Sequence, residues 1–364
     1  LFLTVLPLSI LGKRRINFFN RNLSFSFAFL VALCFIFLFA PVISNENPDF
    51  SKNLSVTKLL PPFSSVKQLE LKFDDKNSLS DKKTFKQKVD EIIKPSFNEN
   101  IIFADSIKLS GSVTYYQKNS IHQIPVNVLL DKSLSPVVKN KFFLLGTDEF
   151  GRDMFVRIIY GTRISLTVGI GSVVLSFVIG ILFGFIAGYR GGLPDIMLNR
   201  FTEIFLAFPV IYLVVLILAL FGSSIFSVMI VLGISGWMSL FKIVKSEVLS
   251  IRQKDFFSAA ELIGLNKKQL LMKEILPVII IPVLVNLVFL FSNVILAEAA
   301  LSYLGLGTGS SYPSWGSMIS SGQEYINKAW WMIAFPGLGL ILTLFSINSA
   351  GKIVSKTFNP GIKD

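Results

Sequence analysis

From Ile164 to Ala187 the chain carries no charged side chain, and five other stretches come close to matching that run. They fall near residues 23–43, 204–221, 225–244, 278–301 and 330–350. Each is long enough to cross a bilayer as a helix, and in lipid a helix is the way such a run satisfies its own main-chain hydrogen bonds. The pattern predicts an all-α polytopic membrane protein with six transmembrane helices. Composition agrees: 52% of the 364 residues are hydrophobic and only 16% are charged, well below a soluble domain.

The net charge of +12 raises the question of nucleic acid, but no nucleic-acid-binding signature accompanies it. Basic residues beside the spans are topology signals instead. Lys13, Arg14, Arg15 and Arg21 precede the first span. Arg190 and Arg200 flank the loop after the second, and Lys242, Lys245, Arg252, Lys254, Lys267, Lys268 and Lys273 bracket residues 254–277. The Gly222–Ser224 turn carries no charge. Both ends and residues 254–277 are therefore expected on the cytoplasmic side. That divides the chain into a cytoplasmic segment (1–22), a first helix (23–43), a large extracytoplasmic insert between the first two helices (44–157), a five-helix membrane domain (158–352) and a cytoplasmic tail (353–364). In the insert, Lys, Asp, Asn and Ser dominate. Segments after Ile101, and the group Val126–Leu130, are strand-capable, while the Lys-rich Asp81–Lys94 stretch reads as solvated. One Cys (Cys34) and one His (His122) exclude an internal disulfide and a zinc site of the Cys/His type.

Within the basic island, Phe256, Ala259, Ala260 and Ile263 recur with helical spacing as one apolar face. Gly264 offers the left-handed residue that ends a helix, and Asn266 with Gln269 begins a second one, which Pro277 interrupts. A short helix with a small apolar face at the membrane's basic side suits docking of a cytoplasmic protein.

Ala259, Ala260, Gly264, Leu276 and Pro277 resemble the EAA loop of permease subunits in binding-protein-dependent ABC importers. The family's usual first Glu is Ser258 here, and its usual apolar residue before Leu-Pro is Glu274. Two further stretches resemble the dipeptide and oligopeptide permeases of that family. One is Gly146, Thr147, Asp148, Gly151, Arg152 and Asp153, followed by Arg157, Gly161, Arg163 and Ser165-Leu166. Read without the resemblance, this is a turn with Asp148 as cap and Asp153 in the first turn of a helix. The other runs from Ala297-Glu298-Ala299-Ala300-Leu301-Ser302 to Pro313-Ser314-Trp315-Gly316.

The resemblance implies a type I ABC importer permease that moves di- or oligopeptides by alternating access; related permeases carry nickel and other small solutes. It implies that Phe256, Phe257, Ser258, Ala259, Ala260, Ile263 and Gly264 form a coupling helix seated on an ATPase. The partners implied are two ABC ATPase subunits, a second homologous permease and an extracytoplasmic solute-binding protein, with membrane lipid around them. The chain lacks a G-x-x-x-x-G-K-[ST] loop, so ATP and Mg are expected on partner subunits, with no cofactor or metal held here. Glu298 and Asn293 lie within a span; an ionisable residue there is a candidate for the solute pathway or for an internal pairing. A secondary transporter is the rival reading; neither a repeat of halves nor a set of intramembrane charges supports it.

Overall fold

A computed structural model describes residues 21–73, 101–109, 112–118, 120–125, 134–207, 209–266, 269–307 and 312–358. The basic N-terminal segment, Asp81–Lys94, Val126–Leu130 and Lys267–Lys268 lie outside them.

Ten helices and six strands are described among these residues. They are α1 (Arg21–Ile43), α2 (Leu54–Thr57), β1 (Ser64–Phe73), β2 (Ile101–Ala104), β3 (Ser106–Leu109), β4 (Val113–Gln117), β5 (Ser120–Ile124) and β6 (Leu134–Phe143). Then follow α3 (Met154–Arg190), α4 (Gly192–Ala207), α5 (Val210–Phe221), α6 (Ile225–Arg252), α7 (Asp255–Leu262), α8 (Leu276–Tyr303), α9 (Trp315–Gly322) and α10 (Trp331–Phe358). Five helical stretches are long and apolar enough to cross a membrane: 25–43, 154–190, 225–252, 270–303 and 331–357. The segment expected as the third span is broken at Pro209 into α4 and α5.

The fold is mostly helical, yet "all-α" needs correction. The insert holds two three-stranded antiparallel sheets, ordered β2-β1-β6 and β3-β4-β5. Along β1 the alternation works as a strand's should. Val66 faces Phe103, Phe143 and Val56, while Leu69 and Leu71 face Val113, Ile107 and Tyr115 of the second sheet. Gln117 Nε2 donates to the Phe103 carbonyl at 2.8 Å across the sheets.

In the membrane domain α3 and α6 pack most extensively. Glycine makes the approach workable: a Cβ on Gly184 would stand 2.6 Å from that of Val244, and one on Gly180 would stand 2.8 Å from that of Leu240. Between these helices, Ser172 Oγ donates to the Met229 carbonyl (2.9 Å) and Ser176 Oγ to the Gly233 carbonyl (2.7 Å). Small residues and short hydroxyls are the usual means of holding helices where apolar burial gives no preference over lipid.

Candidate functional site

α7 and the turn after it form the first part of the site. Gly264 adopts φ +87°, and the Leu265 N–H reaches the Ala260 carbonyl at 3.3 Å while the Gly264 N–H reaches that of Glu261 at 3.0 Å. A glycine in the left-handed region ends the helix as expected. The next helix opens on a reciprocal pair: the Gln269 N–H donates to Asn266 Oδ1 (2.9 Å) and the Asn266 N–H to Gln269 Oε1 (3.0 Å). Pro277 does not interrupt that helix. Residues Leu270–Ile275 widen into a π-helical stretch that runs straight into α8. A wider turn accommodates a ring that would otherwise strike the carbonyl four residues back.

The predicted apolar face of α7 divides in two. Phe257 (1% exposed) and Ala260 point inward, among Val248, Ile251, Leu270 and Ile275. Phe256 (47%), Ile263 (81%), Ser258 and Ala259 stay outside. Leu262, which sequence periodicity did not single out, is 88% exposed beside them. The result is an anchored helix with an uncovered apolar surface ending at Gly264.

Glu298 lies at the far end of α8, completely buried. Its Oε2 accepts from Ser165 Oγ of α3 at 2.9 Å and its Oε1 from Ser302 Oγ at 2.7 Å. The carboxylate thus ties α3 to α8. Asn293 is exposed on another side of α8, so the two residues are not brought together. Nearby Trp315 is buried against Leu33, Leu166, Ile295 and Ile347, and Ser314 with Ser317 forms a capping box at the start of α9.

The Gly146–Asp153 stretch is a clasp between insert and helices. Thr147 Oγ1 accepts from the Leu60 N–H (2.8 Å), and the Thr147 carbonyl accepts from Trp331 Nε1 (3.0 Å). Asp148 Oδ1 accepts from the N–H groups of Phe150 and Arg152, each at 2.9 Å, and Arg152 Nε donates to Asp148 Oδ2 at 2.6 Å. Asp148 therefore closes the turn. The cap of α3 is Asp153, which accepts from the Phe155 N–H at 2.9 Å, contrary to the order expected from sequence. Gly151, at φ +70°, would place a Cβ against the Thr57 hydroxyl. Arg157 reaches Asp49 at 2.9 Å, and Arg152 reaches Glu149 at 3.5 Å. Burial, reinforced by the adjacent Asp148 carboxylate, pushes the Glu149 carboxyl above its ordinary value. Burial likewise raises Asp153, against the lowering pull of Lys141. Among the described residues no cluster of His, Cys, Asp and Glu could hold a metal ion.

Residues 180–364 match the family described as binding-protein-dependent transport system inner membrane component. The chain is 38% identical over 228 residues to the oligopeptide transport system permease protein OppC of Haemophilus influenzae, covering 63% of this chain and 73% of that protein. It is 36% identical to the di/tripeptide transport system permease protein DppC of Pseudomonas aeruginosa, covering 61% and 73%. It is 37% identical to the dipeptide transport system permease protein DppC of Alkalihalophilus pseudofirmus, covering 60% and 72%. With long apolar helices to match, the chain belongs to the family of binding-protein-dependent transport system inner membrane components.

Proposed function

We propose that this chain is one permease subunit of an ATP-driven importer that carries di- or oligopeptides across the cytoplasmic membrane by alternating access. The names of its relatives support peptide as the cargo. The observation that carries the mechanism is the uncovered surface of Phe256, Ala259, Leu262 and Ile263 on a helix anchored from behind by Phe257. A solvated loop gains nothing by holding four apolar side chains outward. An ATPase groove that covers them does, and the anchored helix then transmits the ATPase's closure to α6 and α8.

In this reading the partners are two ABC ATPase subunits holding ATP and Mg, a second permease and a solute-binding protein. α4 and α5 together make a sixth, broken crossing. The insert faces outward, and both termini and α7 face the cytoplasm, as the bias of basic residues indicates. Glu298 is an internal tie between helices rather than a group exposed to solute, consistent with its two serine donors.

Affinity purification of the tagged chain in mild detergent, with mass spectrometry of what remains bound, tests the assembly. Recovery of a second permease and P-loop ATPases is expected. Recovery of the chain alone, with ATP-independent uptake in vesicles, would overturn the proposal.

A further inference from the structure

Phe63 is the third residue of a β-turn, Pro61–Ser64, closed by the Ser64 N–H on the Pro61 carbonyl at 3.3 Å. Its φ is +64°, a region that turns fill with glycine or asparagine. A phenylalanine there carries backbone strain, and its side chain recovers little by burial, being 69% exposed. The ring meets that of Phe142, 6.2 Å away between centroids, which is itself 51% exposed. Strain that packing within the chain does not offset points to a role for the ring outside the chain.

The pair stands at the end of the first sheet that meets the clasp. The Phe143 carbonyl accepts from the Phe63 N–H at 3.0 Å and from the Gly146 N–H at 3.4 Å. A Cβ on Gly146 would stand 3.0 Å from Trp331 Nε1, and the apolar run of α10 begins at Trp331. Two hydrogen bonds and one contact thus separate the Phe63 main chain from the end of a span. The headgroup layer on each face of a bilayer is about 5–8 Å thick, which puts the two rings at its level. Farther from the clasp comes a cation. Ser65 is the ladder partner of Phe142, and Lys67, two residues along β1 and so on the same face, is exposed.

We infer that Phe63 and Phe142 seat the insert on the outer leaflet, with their rings at the boundary of headgroups and acyl chains and Lys67 toward lipid phosphate. The inference rests on the outward-facing insert of the reading above. Apolar rings backed by a basic residue are what an interfacial segment presents to lipid. Continuity with α10 selects lipid over a protein partner: the surface begins beside Trp330, exposed at the end of a span, where tryptophan marks the bilayer interface.

Cys34 is the one cysteine of the chain, so Cys34→Ala gives a background for single nitroxide labels. The full chain carrying Phe63→Cys is labelled, reconstituted in nanodiscs of phosphatidylethanolamine and phosphatidylglycerol, and probed by power saturation with oxygen and with a water-soluble nickel chelate. Ile121→Cys, exposed on β5, is the solvent reference. The label at 63 is expected to be reached by oxygen and shielded from nickel, while the label at 121 is open to nickel. A second reporter, Ser65→Cys, is compared with and without Phe63→Gly. The glycine removes the ring and relieves the positive φ, so the nickel exposure of the reporter should rise with no loss of Tm, a combination that unfolding does not produce. Nickel access at 63 equal to that at 121 would overturn the inference in favour of a solvated surface. Shielding from both nickel and oxygen would overturn it in favour of a protein contact. Orientation is tested separately, by labelling Ile121→Cys in intact cells with an impermeant maleimide. Reaction only after lysis would remove the outward reading, and the inference with it.

Discussion

Trp331 donates its indole N–H to the carbonyl of Thr147, 184 residues away in the chain, at 3.0 Å. The bond joins the first turn of α10 to the clasp that carries the insert, so the insert is fastened to α10 as well as to α1 and α3, between which it lies. Trp331→Phe keeps an aromatic ring but removes the donor and the second ring of the indole. It should cost about 1–2 kcal/mol, read as a lower Tm and faster proteolysis within the insert, with a smaller change in the helical signal.

Acidification should relieve the cost that Glu149 places on the same joint. Glu149 has its carboxyl pKa raised by burial and by Asp148. Such a group leaves stability intact below its unfolded value, costs stability as pH rises through the folded value, and imposes the full cost above it. Asp148, Arg152, Arg157 and Asp49 surround it, so the wild-type profile is a sum over the cluster. The difference between wild type and Glu149→Gln isolates the one carboxyl. That difference should favour the variant at neutral pH and vanish as pH falls into the ordinary carboxylate range. A difference that grows on acidification would contradict the assignment.

Two substitutions in α7 separate docking from folding. Ile263→Asp alters an exposed side chain, so stability should change by no more than about 0.5 kcal/mol, while ATPase retention and transport are lost. Phe257→Ala empties a buried site and should cost about 3–5 kcal/mol, with loss of assembly following from loss of structure. Equal effects of the two on Tm would show that the exposed face has a structural role in the subunit itself.

The α3–α6 contact offers a reciprocal test. Gly184→Ala places a methyl where Val244 already stands, and overpacking of this kind costs about 1–3 kcal/mol. Val244→Gly in the same chain removes the Cβ that the new methyl meets at 2.6 Å and should restore part of the loss, and a double-mutant cycle on Tm measures the coupling. Simple additivity would mean that the helices separate freely.

Five of the six expected spans, the end of α7 at Gly264 and the Asn266–Gln269 start were legible because each depends on local chemistry: a run without charge, one left-handed residue, one reciprocal cap. What was hidden depended on tertiary context. Pro277 looks like a stop, but the π-helical turn that absorbs it has no composition of its own. Asp148 and Asp153 are equally good caps in isolation; the choice between them is made by Arg152 and by the first turn of α3. The strands after Ile101 were readable as strand-capable, while their two-sheet core required β1 to meet β6. Phe256 and Phe257 are neighbours of identical type, and only the packing of Leu270 and Ile275 decides which one is buried. Leu262 escaped attention because it falls outside the four-residue periodic set, though exposure puts it on the same surface.

The longest ladder of the insert joins β1 to β6, from Ser64 with Phe143 through Phe73 with Leu134. During synthesis at roughly 5–20 residues per second, a gap of about 60–80 residues leaves β1 waiting on the order of 3–16 s for this partner. The insert's order of assembly is therefore set by the ribosome: its central strand emerges first and is completed last, when the chain is about to enter α3. Over that interval the unpaired strand stands open to proteases and to other strands, and slow codons between the two would lengthen the exposure without altering a single residue of the finished protein.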